Sequence, residues 1–287
     1  DKIRASIRFK HFKKTYDENI LDIKGGLNDV VMNNSPIDID KLIEGTNEIL
    51  TANRNSLQLF DMLHSMRQFD DLTYVHSVNV ALIASILGQW LKFSEKDIRI
   101  LTISGLLHDI GKIMIPNEIL TKPGKLTVAE YNIMKQHVNF GYEKVKNQNI
   151  DIRIKEACLL HHEKCDGTGY PFGLKSDHIP AVAKIIAIAD VYDAMTSARV
   201  YRGALCPFEV IDTMYKDAFT KFEPEYILPF LKNVASSYIN NDVRLSDGRI
   251  GKVVLINENA LSLPIVQCED EFIDLSKTRG LTVSAIL

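Results

Sequence analysis

Apolar residues recur along the first 66 positions at helical intervals: Ile39, Leu42, Ile43, Ile49 and Leu50, then Leu57, Phe60 and Leu63. Spacing of three or four residues lines such side chains along one face of an α-helix. Gly25-Gly26 and Asn33-Asn34-Ser35-Pro36 are expected to interrupt the run. Residues 67–238 continue as helix after helix. Ser94 with Asp97 marks a cap before Ile98–Leu107, and Thr127-x-x-Glu130 is a capping box opening a helix expected to carry His137. Further helices are predicted over Ile152–His162 and, starting at Pro180, over Ala181–Thr196. Pro207 and Pro224 stand where first-turn prolines belong. The period then changes. Val243–Leu245, Ile250–Ile256, Leu263–Cys268, Ile273–Leu275 and Thr282–Leu287 read as short strands, with turns at Ser246-Asp247-Gly248 and Asn257-Glu258-Asn259. The expected architecture is an all-α helical bundle with a small C-terminal β extension. Its divisions are a helical region over 1–66, the main bundle over 67–238 and the β-rich segment over 239–287.

Composition narrows the class. Of 287 residues, 46% are hydrophobic and 25% charged, as in an ordinary globular chain. A formal net charge of −3 argues against polymeric nucleic acid as a partner and leaves room for a local basic pocket. The Lys and Arg residues of positions 2–14 read as a solvated helix face. No apolar run reaches about 18 residues and no signal-peptide pattern opens the chain, so no membrane span and a cytoplasmic location are expected. Cys158, Cys165, Cys206 and Cys268 show no CxxC spacing and read as free thiols rather than metal ligands or a disulfide framework. The first residue is Asp1, which suits a fragment of a longer protein.

The chemistry concentrates in a few places. His161-His162-Glu163 runs directly into Asp166-Gly167-Thr168-Gly169-Tyr170-Pro171. Neighbouring residues on a helix point about 100° apart, so an abutting His pair is awkward in a core and suits a metal cluster at a helix end. The Gly-x-Gly-Tyr-Pro loop supplies a tightly turning backbone there. His108-Asp109 offers a neutral imidazole and a carboxylate that can span two ions. Of eight histidines, His108, His161 and His162 fall in these doublets, whereas His11, His64 and His178 read as surface or packing residues.

His76, then LLHDIGKIMIP at 106–116, His137, HHEKCDGTGYP at 161–171 and IAIADVYDAMTSARVYR at 186–202 together resemble the HD-GYP domain family, a branch of the HD-superfamily metal-dependent phosphohydrolases. The resemblance covers about residues 67–238 and makes them the catalytic domain. It implies a bundle of HD-domain type and a phosphodiesterase converting cyclic di-GMP to linear pGpG, with GMP as the final product left open. By that resemblance His76, His108, Asp109 and Asp190 hold one metal, and Asp109, His137, His161 and His162 the other, with Asp109 bridging. A ligand set of imidazole and carboxylate suits two ions of iron or manganese, with zinc, nickel and cobalt left open. Two such ions lower the pKa of a shared water to near neutral. Lys112 lies a turn beyond Asp109, where it reaches the same phosphate or protonates the leaving oxygen; a solvated lysine is the plain alternative.

The same resemblance gives Arg199 and Arg202 the second phosphate. They are three residues apart, so one helical face presents both guanidinium forks. Val200 stands where the family's run has proline. Tyr170 either stacks on a base or pins its loop, Gly167 and Gly169 serve backbone geometry, and Glu163 is placed to orient a ligand imidazole. Leu72 occupies the position of a glutamate found in three-metal members, and Asp70 and Asp71 are out of helical register with His76, so two ions are expected. Three rival readings remain: a phosphohydrolase on another cyclic dinucleotide or nucleotide, a non-catalytic cyclic dinucleotide sensor, and an oxygen-activating di-iron enzyme. Beyond cyclic di-GMP, a homodimer and attached signalling domains are the candidate partners.

Overall fold

A computed structural model describes residues 7–53, 56–66, 72–197 and 204–287. At its centre is α4 (Leu72–Trp90), where Val78, Val80, Ala81, Leu82, Ile83 and Ala84 are all 0% exposed. A helix apolar on every side has to be surrounded. The helices α5 (Glu95–Leu107) and α10 (Ala181–Thr196) pack along it, with α9 (Ile152–Leu160) against both and α8 (His137–Val145) against α9. A knot of aromatics closes one end: Phe60 of α3 (Ser56–Met66) stacks on Trp90 at 5.5 Å and meets Tyr192 at 5.7 Å. Tyr192 in turn meets Phe230 of α12 (Pro224–Ser237) edge-on at 5.2 Å.

The N-terminal helix α1 (Ile7–Asn33) packs on α2 (Ile39–Ala52) and α4. It runs straight through Gly25-Gly26, against the expectation of a break there. Burial of Ile23, Leu27, Val30 and Val31 on its inner face outweighs the roughly 1 kcal/mol that each mid-helix glycine costs. The break comes at the other expected place, with the helix ending at Asn33 and Asn34 at φ 51°.

Caps mark the helix starts. Ser94 accepts from the Asp97 backbone amide, and the Thr127–Glu130 box opens α7 (Val128–Met134), which follows the short α6 (Asn117–Leu120). Two helix ends differ from the sequence reading. The capped helix stops at Met134, and His137 opens α8 instead of lying inside α7. Likewise α9 stops at Leu160, so His161 is its C-terminal cap. Both changes put an imidazole at a helix end, beside carbonyls that lack a helical donor.

After α11 (Pro207–Asp217) and α12 come β1 (Asp242–Leu245), β2 (Ile250–Leu255), β3 (Ile265–Cys268), β4 (Glu271–Asp274) and β5 (Val283–Ile286). They form one antiparallel sheet in the order β4-β3-β2-β1-β5. Val243, Leu245 and Val253 face inward while Asp242, Arg244 and Lys252 face solvent, the alternation of a sheet covered on one face. The inward residues join the same apolar cluster as the helices. Among the described residues, no helix is long and apolar enough to cross a membrane.

Candidate metal centre

Helix ends assemble the site. His108 caps the C-terminus of α5, and Asp109 precedes a 3-10 turn over Ile110–Met114. His137 is the first residue of α8, His161 caps α9 and His162 follows it, while His76 and Asp190 come from the interiors of α4 and α10. Gly111 allows the 3-10 turn to lie against α8: a Cβ there would stand 1.9 Å from the His137 carbonyl oxygen. That contact brings the Asp109 carboxylate to the His137 ring.

Asp109 is 1% exposed, and its two oxygens face different partners. Oδ1 lies 3.3 Å from His137 Nε2 and 3.8 Å from His161 Nε2. Oδ2 lies 3.3 Å from His108 Nε2, 3.6 Å from His76 Nε2 and 2.5 Å from Lys112 Nζ. Asp190 reaches both sides, with Oδ1 2.9 Å from His76 Nε2 and Oδ2 3.7 Å from His162 Nδ1.

The far side of four of the five rings is anchored. Nδ1 of His108 donates to the Gly105 carbonyl at 2.7 Å, that of His137 to Met134 at 2.7 Å, and that of His161 to Ala157 at 2.9 Å. His76 Nδ1 donates instead to the Asp193 carboxylate at 2.7 Å. With the proton placed on Nδ1, the Nε2 atoms of His108, His137 and His161 present a lone pair inward, whereas His76 Nε2 donates to Asp190 at 2.9 Å.

Burial, reinforced by neighbouring imidazoles, lowers the pKa of His137, takes His161 well below the ordinary range and takes His162 to about 3. All three are therefore neutral at pH 7. Burial also works against charging His76, but its hydrogen bonds to Asp190 and Asp193 prevail and raise it to about 9. Burial works against the Asp109 and Asp190 carboxylates too. Lys112 and nearby imidazoles keep Asp109 ionised, and the His76 hydrogen bond with adjacent imidazoles does so for Asp190.

The residues fit a pair of cations. Among the described residues, His108 Nε2 and Asp109 Oδ1 are buried without any hydrogen-bond partner, a state that costs about 1–3 kcal/mol per group unless something else satisfies it. Donor atoms of Asp109, His137, His161 and His162 lie within 4.8 Å of one another, as do those of His76, His108 and Asp109. The two groups share Asp109.

A cavity of about 1080 Å³ opens over the cluster, with His76, Lys112, His137, His162 and Tyr170 in its lining. Tyr170 stacks on His162 at 4.7 Å, and its backbone amide donates to the His162 carbonyl at 3.1 Å. This fold-back is possible because Gly169 passes the chain where a Cβ would lie 2.5 Å from the same carbonyl. Glu163 does not orient an imidazole. Its buried carboxylate accepts the amides of Phe172, Gly173 and Leu174 at 2.7, 3.2 and 2.9 Å, so it holds the loop instead. Tyr131 of α7 and Tyr74 of α4 also line the cavity, and α1 contributes Lys24 and Asn28. The Lys24 ammonium sits 5.6 Å over the Tyr74 ring, and Asn28 accepts from the Tyr74 hydroxyl at 3.3 Å.

Several other expectations can be located. Cys165 is half-buried outside the cluster, and His11 and His178 are exposed. Arg199, Arg202, Asp70 and Asp71 lie outside the described residues, as do the side chains of Leu72 and His64. The sequence reading missed Asp193. It lies three positions after Asp190, and that spacing puts both carboxylates on one face of α10.

The HD domain family matches residues 44–226 of the chain. A cyclic di-GMP phosphodiesterase of Pseudomonas aeruginosa is 36% identical over 203 residues, covering 70% of this chain and 49% of that protein. A 3′3′-cGAMP-specific phosphodiesterase of Vibrio cholerae is 30% identical over 216 residues, covering 74% of this chain and 40% of that protein. The chain thus spans about half the length, or less, of these curated relatives. Among solved structures, an HDG"Y"P protein of Bdellovibrio bacteriovorus shares the fold, with a TM-score of 0.64 at 17% identity over 80% of this chain and 73% of that one.

Proposed function

Because the chain belongs to the HD domain family, we propose that it is a two-metal phosphodiesterase hydrolysing cyclic di-GMP to linear pGpG and onward to GMP. The observation that carries this reading is the Asp109 carboxylate, divided between two sets of inward-facing imidazoles on the floor of a cavity of about 1080 Å³. In this reading residues 67–238 are the catalytic domain and the ions are iron or manganese.

Two divalent ions bound there supply Lewis-acid stabilisation of a phosphate and lower the pKa of water. The remaining work falls to the chain. His137, His161 and His162, kept neutral by burial, would hold one ion with Asp109. His76, His108 and Asp190 would hold the other, again with Asp109. Lys112 keeps an 18% exposed side chain at the cavity wall, where its ammonium contacts a phosphate oxygen and carries a proton for the leaving oxygen. Tyr170, flat against His162, offers a ring face to a base. Arg199 and Arg202 take the second phosphate of the ring.

A second reading keeps this chemistry and changes one base. The similarity to a relative named for 3′3′-cGAMP favours it. Purified protein loaded with Mn(II), or with Fe(II) under anaerobic conditions, is offered each cyclic dinucleotide separately and the products are separated by chromatography. Faster loss of cyclic di-GMP with appearance of pGpG is the expected result. Preferential loss of 3′3′-cGAMP replaces the substrate. Tight binding without turnover in metal-loaded protein overturns the enzyme in favour of a sensor.

A further inference from the structure

We propose that Tyr16, on the N-terminal helix α1, is a positioning residue of the metal centre that acts on His76 through Asn79 and Asp193. The proposal rests on the metal-centre reading above. Four buried side chains form an unbroken chain of hydrogen bonds. The Tyr16 hydroxyl donates to Asn79 Oδ1 at 2.5 Å, Asn79 Nδ2 donates to Asp193 Oδ1 at 2.9 Å, and His76 Nδ1 donates to Asp193 Oδ2 at 2.7 Å. Tyr16, Asn79, Asp193 and His76 are 2%, 3%, 1% and 4% exposed.

The direction of each bond follows from the groups themselves. A carboxylate only accepts, so His76 must carry its proton on Nδ1 and Asn79 must turn its NH₂ toward Asp193. The amide oxygen then faces Tyr16, whose hydroxyl has to donate. The result is a His76 ring with its Nε2 directed at Asp109 and Asp190, the atom that would turn a lone pair toward a cation on giving up its proton. His108, His137 and His161 are aimed by main-chain carbonyls, whereas His76 is aimed by a side chain. That support ends on α1, which lies before the stretch matching the HD domain family. Tyr16 is itself fixed by packing, with its ring 5.6 Å from that of Phe12.

The test is Mn(II) binding to the full chain by calorimetry, with thermal melting of each metal-free variant. Asp193→Asn should weaken Mn(II) binding about 10–100-fold, the usual loss for a group that orients a ligand. Tyr16→Phe removes only the hydroxyl, one link further out. It should weaken one of two binding events about three- to tenfold, at the low end of that range or below it, and leave the other unchanged. Added to Asn79→Ala, which already cuts the chain, Tyr16→Phe should cause no further loss of affinity. If Asn79→Ala does not fold, Asp193→Asn serves as the background.

Wild-type affinity in folded Tyr16→Phe overturns the proposal and leaves the metal centre standing. So does a lowered melting temperature without a change in affinity, or a loss that adds fully to that of the background. A wild-type chain that takes up no Mn(II) overturns the metal-centre reading itself, and this proposal with it.

Discussion

The consequences are sharpest at single residues. Each Asp109 oxygen faces a different set of imidazoles, so Asp109→Ala should release at least one ion and abolish turnover. Metal per chain and hydrolysis rate, measured together, check this; wild-type activity in a folded variant would sink the two-metal mechanism. Arg199→Ala and Arg202→Ala should retain both ions and weaken dinucleotide binding by roughly 1.5–3 kcal/mol, about ten- to a hundredfold. Equilibrium binding to catalytically inactive protein decides it. The family resemblance sets Leu72 at the position of a third carboxylate, so elemental analysis of the wild type should find two ions per chain. The doublets His108-Asp109 and His161-His162 were legible within a few residues of sequence, whereas the single His76 and His137 were named through the family resemblance. Asp193 was not legible: its spacing from Asp190 shows a shared helix face, but its partner His76 is 117 positions away. Glu163 was misread for a related reason: its partners are backbone amides 9, 10 and 11 residues ahead, and a sequence shows side chains.

Elements began where their caps said and ended where packing decided. Ser94, Thr127 and Pro180 located three helix starts because a capping side chain, or a proline at the boundary, acts locally. No such side chain marks the ends at Met134 and Leu160, which depend on where α8 and the His161 ring must lie. Gly25-Gly26 failed as a breaker because contacts with α2 and α4, invisible locally, hold the helix together. Among the described glycines, Gly111 is the one where an added Cβ would come nearest to another atom, because the 3-10 turn lies against α8 there. Gly111→Ala places a methyl group against the His137 carbonyl, and overpacking of this kind costs about 1–3 kcal/mol. The variant should unfold at lower denaturant concentration. It should also bind Mn(II) more weakly, since the same contact sets the distance between Asp109 and His137. Wild-type values for both would show that the turn accommodates the methyl group.

Across the whole molecule, one apolar cluster contains Phe9 of α1 and Val283 of β5. The change from helical to alternating periodicity announced the sheet, but nothing in the alternation told which helices it would cover. Removing residues 239–287 takes no proposed ligand away and uncovers part of that cluster. The truncated chain should keep two ions and measurable hydrolysis, with a lower melting temperature. A folded, metal-loaded truncation without activity would show that the sheet shapes the cavity. The carbonyl anchors of His108, His137 and His161 carry a further consequence, for how the centre tolerates sequence drift. Every amino acid supplies a carbonyl, so the aim of those rings survives any nearby replacement that keeps the helix ends in place. His76 has no such insurance. In a library randomised around the centre, replacements of the groups behind His76 should scatter metal affinity widely, while side-chain replacements beside the carbonyls behind His108, His137 and His161 should leave it nearly uniform.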